Sequence, residues 1–238
     1  MNMKCAVIYM AAGNSRRFSA GMEAGRRERS CCQEMTELLE KQDREEFHPS
    51  LHLTGNKLLY PLEGKSLYRH GLDTAEAVVR RHKGSALLVI TQYPEIYREV
   101  EQLGIQVYLN PSSRLGASYT VKRGLEEASG LGEFDYYLFM TGDQPYLSRE
   151  TLECFFIKGA EGRYAMISAS FGERLGNPVM FHRQLYQELM NLKNDEGGRR
   201  VWKRYAAGEL HTALVQASAE RELKDFDLPE DFWQEQER

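Results

Sequence analysis

A predominantly parallel α/β fold is predicted from three observations. Short apolar runs such as Leu87-Leu88-Val89-Ile90 alternate along the chain with amphipathic stretches of helical period. These runs are apolar at every position rather than at alternate ones, which marks strands buried on both faces, as in parallel sheets. Small or polar residues follow them: the Gly13 loop, Thr91, Asn110 and Asp143 all fall at or just beyond the carboxyl ends of the predicted strands. Open α/β sheets bind their ligands at that edge. Repeated β-α-β order then implies a sheet with helices on both sides.

The elements follow in order. Lys4–Met10 is expected as the first strand, Ser66–Arg81 as a helix, Ala86–Thr91 as a strand and Glu95–Leu103 as a helix. Gln106–Leu109 is expected as a strand, Ser118–Ala128 as a helix and Tyr136–Thr141 as a strand. Residues 20–54 break this rhythm. They are dense in Glu, Arg, Lys and Gln, with Met35, Leu38 and Leu39 at helical spacing, and read as an inserted amphipathic helix near Arg29–Glu45 followed by an irregular stretch. The end, Phe226–Arg238, reads as a short acidic helix or a frayed tail. The whole is expected to be one domain, residues 1–238, carrying that insertion.

Composition excludes several classes. A net charge of −4 lacks the basic excess of a general nucleic-acid binder. No apolar run approaches the roughly 18 residues that span a bilayer, and the first residues lack a signal-peptide pattern. The four cysteines form no C-x-x-C pair and no disulfide framework, so a reducing cytoplasm is expected. Cys31, Cys32, His48 and His52 lack metal-ligand spacing.

Chemistry concentrates first at Val7–Arg17. The run Val7-Ile8-Tyr9-Met10 breaks into Ala11-Ala12-Gly13-Asn14-Ser15 and then Arg16-Arg17. Small side chains let an anion approach the backbone N–H groups, and arginines add a charged fork suited to phosphate. Lys57, in Gly55-Asn56-Lys57-Leu58, would bring a second point charge to a polyphosphate. Gly64-Lys65-Ser66 is not a Walker motif, because Leu59 stands where the first glycine is required.

Thr141-Gly142-Asp143-Gln144-Pro145 delivers a carboxylate to the same edge. A lone carboxylate there suits Mg²⁺, which binds one or two protein carboxylates plus substrate phosphates. Asp225 and Asp227 would project from one side of an extended segment and could supply a second ligand, although a neighbour could equally cap a helix opening at Pro229. Asn110-Pro111 with Gly116 and Ser118 could present an amide and a hydroxyl to a base or ribose, or form a turn and helix N-cap.

Together these segments resemble the MobA-like nucleotidyltransferases, most closely the molybdenum cofactor cytidylyltransferases. The resemblance is carried by Met10–Phe18, Asn56–Leu62, Asn110-Pro111 with Gly116 and Ser118, Gly142–Pro145, Gly176-Asn177-Pro178-Val179, Asp195–Arg199 and Asp225–Asp231. It spans the chain except residues 20–54. It implies a Rossmann-like three-layer α/β/α sandwich of the nucleotide-diphospho-sugar transferase type and transfer of CMP from CTP to a molybdopterin-type cofactor, with Mg²⁺ as cofactor and pyrophosphate released.

The implied site has Arg17, Lys57 and Asp143 as catalytic groups. Ala11 to Arg17, with Lys57, Asn110, Gly116 and Ser118, would bind the nucleotide. Asp143, Asp225 and Asp227 would hold metal. The acceptor would lie against Gln144, Pro145, Gly176, Asn177, Pro178, Glu196, Gly198 and Arg199, the later loop at 176–179 being read as a turn. Ala12 favours CTP, since the guanylyl-transferring branch typically has glycine there.

GTP-dependent transfer to molybdenum cofactor, transfer to a sugar phosphate, and a non-catalytic cofactor carrier are the competing readings. The expected partners are the nucleotide, the molybdenum cofactor and a molybdenum hydroxylase, on a monomer or weak dimer. The chain departs from the family at Ser19, where glycine is usual, and in its long insertion, which could be a lid or a dock.

Overall fold

The computed structural model describes residues 3–15, 17–20, 56–205, 208 and 210–236. Arg16 and the inserted segment, including its expected helix at 29–45 and Cys31, Cys32, His48 and His52, lie outside the described residues.

Seven strands form one sheet: β1 (Cys5–Ala11), β4 (Ala86–Thr91), β5 (Gln106–Leu109), β6 (Tyr136–Thr141), β7 (Met166–Phe171), β8 (Arg174–His182) and β9 (Thr212–Gln216), in the order β5-β4-β1-β6-β8-β7-β9. A separate two-stranded ribbon pairs β2 (Pro61–Leu62) with β3 (Lys65–Ser66). β1 pairs in parallel with β4 and β6, and β4 with β5. β8 runs against both of its neighbours, β6 and β7, while β7 and β9 are parallel. The sheet is therefore mostly parallel, as the apolar runs predict.

Seven α-helices accompany it among the described residues: α1 (Leu67–Val79), α2 (Pro94–Gln102), α3 (Ala117–Leu131), α4 (Arg149–Ala160), α5 (Tyr186–Met190), α6 (Gly198–Tyr205) and α7 (Pro229–Gln236). Residues 17–20 add one helical turn. The strands at 86–91, 106–109 and 136–141 match their predicted bounds, and the first strand and the helices differ by a few residues at their ends. Those differences follow from local chemistry: Pro94 starts α2 because its missing N–H costs nothing in a first helical turn, and α3 runs on to Leu131, where Gly132 takes a positive φ.

The three layers are visible in how β1 divides its side chains. Cys5, Val7, Tyr9 and Ala11 enter one core with Leu72 and Val78 of α1, Val100 of α2 and Phe155 of α4. Ala6 and Ile8 enter the other, with Val121 and Leu125 of α3, Leu189 of α5 and Val201 of α6. Period-two alternation on a strand buried on both faces produces two separate cores. This is the expected three-layer α/β/α sandwich.

The turn expected at Gly176–Val179 is instead part of strand β8. Ser168 pairs with Val179, but the next residue, Ala169, pairs with Gly176, so Asn177 and Pro178 form a bulge. Pro178 has no N–H to lose, and a bulge is where a sheet tolerates proline. Because β8 is antiparallel, this bulge lies towards the carboxyl end of β6, beyond the last β6–β8 pair at Phe139 and Val179.

Candidate active site

The site begins where β1 ends. The Ala11 carbonyl accepts from Thr91 Oγ1 at 2.8 Å, the Ala12 carbonyl from Gln92 Nε2 at 2.8 Å, and the Gly13 carbonyl from the Tyr93 hydroxyl. Three successive carbonyls are thus held by the residues at the end of β4. Asn14 spans the loop, accepting from Gln92 at 3.0 Å and donating to the Arg114 carbonyl at 3.1 Å. Ser15 sits at φ +49, the left-handed region. Its carbonyl accepts from Ser19 N at 2.9 Å, starting the helical turn.

That curl of backbone is what anions seek. Ser15 Oγ also accepts from Lys57 N at 3.1 Å, and Asn56 Oδ1 accepts from Leu58 N at 3.0 Å. The first loop and the Lys57 segment are thereby one unit.

Lys57 is 4% exposed. Its Nζ donates to Asp143 Oδ2 at 2.7 Å and to Asp227 Oδ1 at 2.6 Å. Burial works against the ammonium, but the two carboxylates outweigh it and hold the Lys57 pKa above its ordinary value. Arg17, largely exposed, reaches Asp227 Oδ2 at 3.3 Å.

Asp225 faces the same cluster and accepts from Gln144 Nε2 at 2.8 Å. Desolvation and then the charge of Asp143 raise its pKa, although the residue reaches solvent at its outer edge. The Phe226 N–H donates to the Asp143 carbonyl at 2.9 Å and ties the two segments together.

Two cavities meet at this loop and share Gly13 and Asn14 as a wall. One, about 270 Å³, is lined by Gly13, Asn14, Ser15, Arg17, Lys57 and Asp227. The other, about 230 Å³, lies between the loop and α3; Ala12, Ser113, Gly116, Thr120, Thr141 and Asp143 are among its walls.

Gly116 closes that second cavity for a steric reason. Its φ is +142, and a Cβ there would lie 2.4 Å from the backbone of Asn194. The close approach lets Ser118 N donate to the Asn194 carbonyl at 3.0 Å and places Asp195 on the cavity wall.

Other expected residues take different positions. Asn110 is buried and donates to the Tyr119 carbonyl at 3.0 Å, and Ser118 is buried; neither lines the 230 Å³ cavity. Ser118 is not the N-cap of α3, since Gly116 occupies that place. Glu196 turns to its own segment, accepting from Lys193 N at 3.0 Å and pairing with Arg200 at 3.0 Å. Gly198 is pressed against the Phe181 ring, where a Cβ would approach to 2.8 Å. Arg199 donates to the Leu175 carbonyl at 3.3 Å.

Gln144 and Pro145 are buried below the cluster, and Gly176 packs on Leu223. The helix cap near Pro229 is made by Asp231, whose Oδ2 accepts from the N–H groups of Asp227 and Leu228, each at 2.9 Å. Residues absent from the expected site are Gln92 and Tyr93, which shape the loop, and Ser113, Thr120 and Thr141, which line the cavity together with Asp195 from the run expected at the acceptor. Gln92 and Tyr93 follow a strand at its carboxyl end, and that placement is the signal that identifies them.

A divalent cation is consistent with this donor set. Asp143 Oδ1 is buried with no protein partner, an orphaned acceptor that otherwise costs free energy. Two described cations, Arg17 and Lys57, face three carboxylates, Asp143, Asp225 and Asp227. A triphosphate entering a cluster with that excess of negative charge requires a further cation. Among the described residues no three His, Cys, Asp or Glu side chains form a ready cage.

A nucleotide-binding α/β transferase is the class that this fold and loop define. The chain belongs to the MobA-like NTP transferase domain family, whose model matches residues 49–210, and is a nucleotidyltransferase. It is 26% identical over 189 residues to the purine catabolism protein PucB of Bacillus subtilis, an alignment covering 74% of this chain and 86% of that one. Its fold is similar to that of a nucleotidyl transferase from Methanothermobacter thermautotroptrophicus, with TM-score 0.68 and 20% identity over 98% of this chain and 96% of that one. It is also similar to CMP:2-keto-3-deoxy-manno-octonic acid synthetase complexed with CTP, with TM-score 0.61 and 13% identity over 97% and 96%. No helix among the described residues is long and apolar enough to cross a membrane.

Proposed function

We propose that this nucleotidyltransferase moves CMP from CTP to the terminal phosphate of a molybdopterin-type cofactor and releases pyrophosphate. The observation that carries the reading is the buried Lys57 ammonium, 2.7 Å from Asp143 and 2.6 Å from Asp227, beside a backbone loop open to phosphate. Ala12 in the loop, with the Asp-Gln-Pro sequence at Asp143–Pro145, supports the pyrimidine base. The molybdopterin-type acceptor follows from the resemblance of the motif series, Met10–Phe18 through Asp225–Asp231, to the molybdenum cofactor cytidylyltransferases.

The acceptor phosphate is already ionised and needs no general base. One of its oxygens bonds to the α-phosphorus while the bond from that phosphorus to the bridging oxygen of pyrophosphate breaks, and pyrophosphate takes the electron pair. Positioning and charge stabilisation supply the rate in such a displacement. The N–H groups of residues 12–15, with Arg17 and Lys57, stabilise charge on the departing pyrophosphate. Asp143, with Asp225 or Asp227, would hold Mg²⁺, which when bound supplies Lewis-acid neutralisation of the phosphates.

The purified protein with Mg²⁺, molybdenum cofactor and either CTP or GTP tests this reading through pyrophosphate release. Faster turnover with CTP is expected. Equal or better use of GTP overturns the base assignment, and turnover only with sugar phosphates overturns the acceptor. An Asp143→Ala variant that retained nucleotidyl transfer would overturn the metal role and favour a carrier.

A further inference from the structure

We infer that Lys57 and a divalent cation compete for one place, the gap between Asp143 and Asp227, and that the lysine yields it by passing to the phosphates of a nucleotide. The inference rests on the metal and nucleotide readings of this site and adds an order of binding to them. The cation is admitted with the nucleotide and not before it.

The geometry makes the two cations alternatives. The Lys57 ammonium lies 2.7 Å from Asp143 Oδ2 and 2.6 Å from Asp227 Oδ1. An Mg²⁺ ion that took either oxygen as a ligand would lie within about 5 Å of that nitrogen. Cations so close, drawing on the same acceptors, repel each other. The three side chains also differ in how open they are. Lys57 is 5% exposed, Asp143 22% and Asp227 41%. An ion reaches the carboxylates from solvent, on the Asp227 side, whereas the lysine reaches them from the interior.

The lysine has somewhere to go. It lines the 270 Å³ cavity with Gly13, Asn14, Ser15 and Arg17, where the phosphates are placed. Its backbone N–H is fixed to Ser15 Oγ at 3.1 Å, so rotation about side-chain bonds is enough to carry the ammonium across. A point charge on a flexible stem suits such a transfer. A buried ammonium without an anion is costly, so Lys57 leaves two carboxylates only for another anion. A polyphosphate is that anion, and the carboxylates it frees then favour the divalent ion. Each ligand thereby raises the affinity of the other.

Arg17 supplies the control. It reaches the same Asp227 at 3.3 Å, but from a side chain that is 79% exposed and outside the gap. Binding of Mn²⁺, read by loss of the free ion's electron paramagnetic resonance signal, is compared in wild type, K57M and R17A, without nucleotide and with CTP or GTP. Methionine keeps most of the stem and removes the charge. Without nucleotide, K57M should bind Mn²⁺ about 10- to 100-fold more tightly than wild type. R17A should gain no more than about fivefold, as expected for an exposed pair. Nucleotide should tighten Mn²⁺ binding to wild type about tenfold or more, and by a smaller factor in K57M.

A K57M protein that binds Mn²⁺ no more tightly than wild type overturns the inference. An R17A effect as large as that of K57M also overturns it, because general charge rather than a shared place would then explain both. If wild type binds no Mn²⁺ even with nucleotide, the metal reading itself falls, and the inference with it. Should K57M fail to fold, wild type with ¹⁵N-labelled lysine decides. The Lys57 ammonium signal should move when Mg²⁺ and nucleotide are added together, and a signal left in place overturns the inference.

Discussion

At the scale of single residues, Lys57 carries the most consequence. Replacing it with alanine leaves Asp143 and Asp227 facing each other without their shared cation, and removes a charge from the phosphate cavity. Turnover of the K57A variant should fall about 10²- to 10³-fold, measured as pyrophosphate release. K57R should not restore it, since a planar fork cannot occupy a point 2.7 and 2.6 Å from two separate carboxylates as an ammonium does.

Gly116→Ala tests the second cavity. A Cβ 2.4 Å from the Asn194 backbone, at φ +142, forces the two loops apart. Nucleotide affinity should weaken at least tenfold by calorimetry, and stability should fall by about 2–3 kcal/mol. Lys57, Asp143 and Gly116 could be identified from residue type and spacing alone. Ser113 and Thr120 could not, because which hydroxyls line a cavity is decided only once the chain is folded. Glu196 shows the same limit: adjacent to Asp195, it faces its own helix, and a charge run does not say which carboxylate turns inward.

At the scale of elements, Glu222 ties its own segment to the start of α4 and to the stretch that follows β9. Its residue is 2% exposed, and its carboxylate accepts from Ser148 N and Oγ at the start of α4 and from Ser218 N and Oγ after β9. Burial opposes the charge, but these donors outweigh it and hold the Glu222 pKa at about 2. Since the folded pKa lies below the unfolded one, the stabilisation is present above about pH 5 and is lost as pH falls towards 2.

An E222Q variant should be destabilised by about 2–3 kcal/mol at pH 7, and the gap should close in acid unfolding curves as pH falls from about 5 to about 2. Strands β1, β4, β5 and β6 were legible from their apolar runs. The bulged β8 was not, because Gly176-Asn177-Pro178 carries every local mark of a turn, and only pairing with β7 makes it strand.

At the scale of the whole molecule, the charge balance governs behaviour. The site combines described carboxylates in excess of cations with a loop made for anions, and a divalent ion reconciles the two. Chelation with EDTA should abolish turnover and leave the melting temperature within about 2 °C, because two apolar cores, not the site, hold the sandwich together. Excess Mg²⁺ should restore activity, and failure of any divalent ion to do so would count against the metal reading. A parallel sheet with helices on both sides was legible because repeated β-α-β units leave few other arrangements. The carboxyl-edge rule then gathered the site before any side chain was placed.

The pairing of Lys57 with Asp227 has a consequence for a chain still being made. These residues are 170 positions apart, and the rings of Phe18, Tyr60 and Phe232 pack together over the join. On the ribosome the loop, the lysine and Asp143 emerge well before Asp227 does. A partly synthesised chain therefore has its phosphate loop without the carboxylate that finishes it. The cluster closes only when segments far apart along the chain meet, so translation must pass Asp227 before Lys57 has both of its carboxylates.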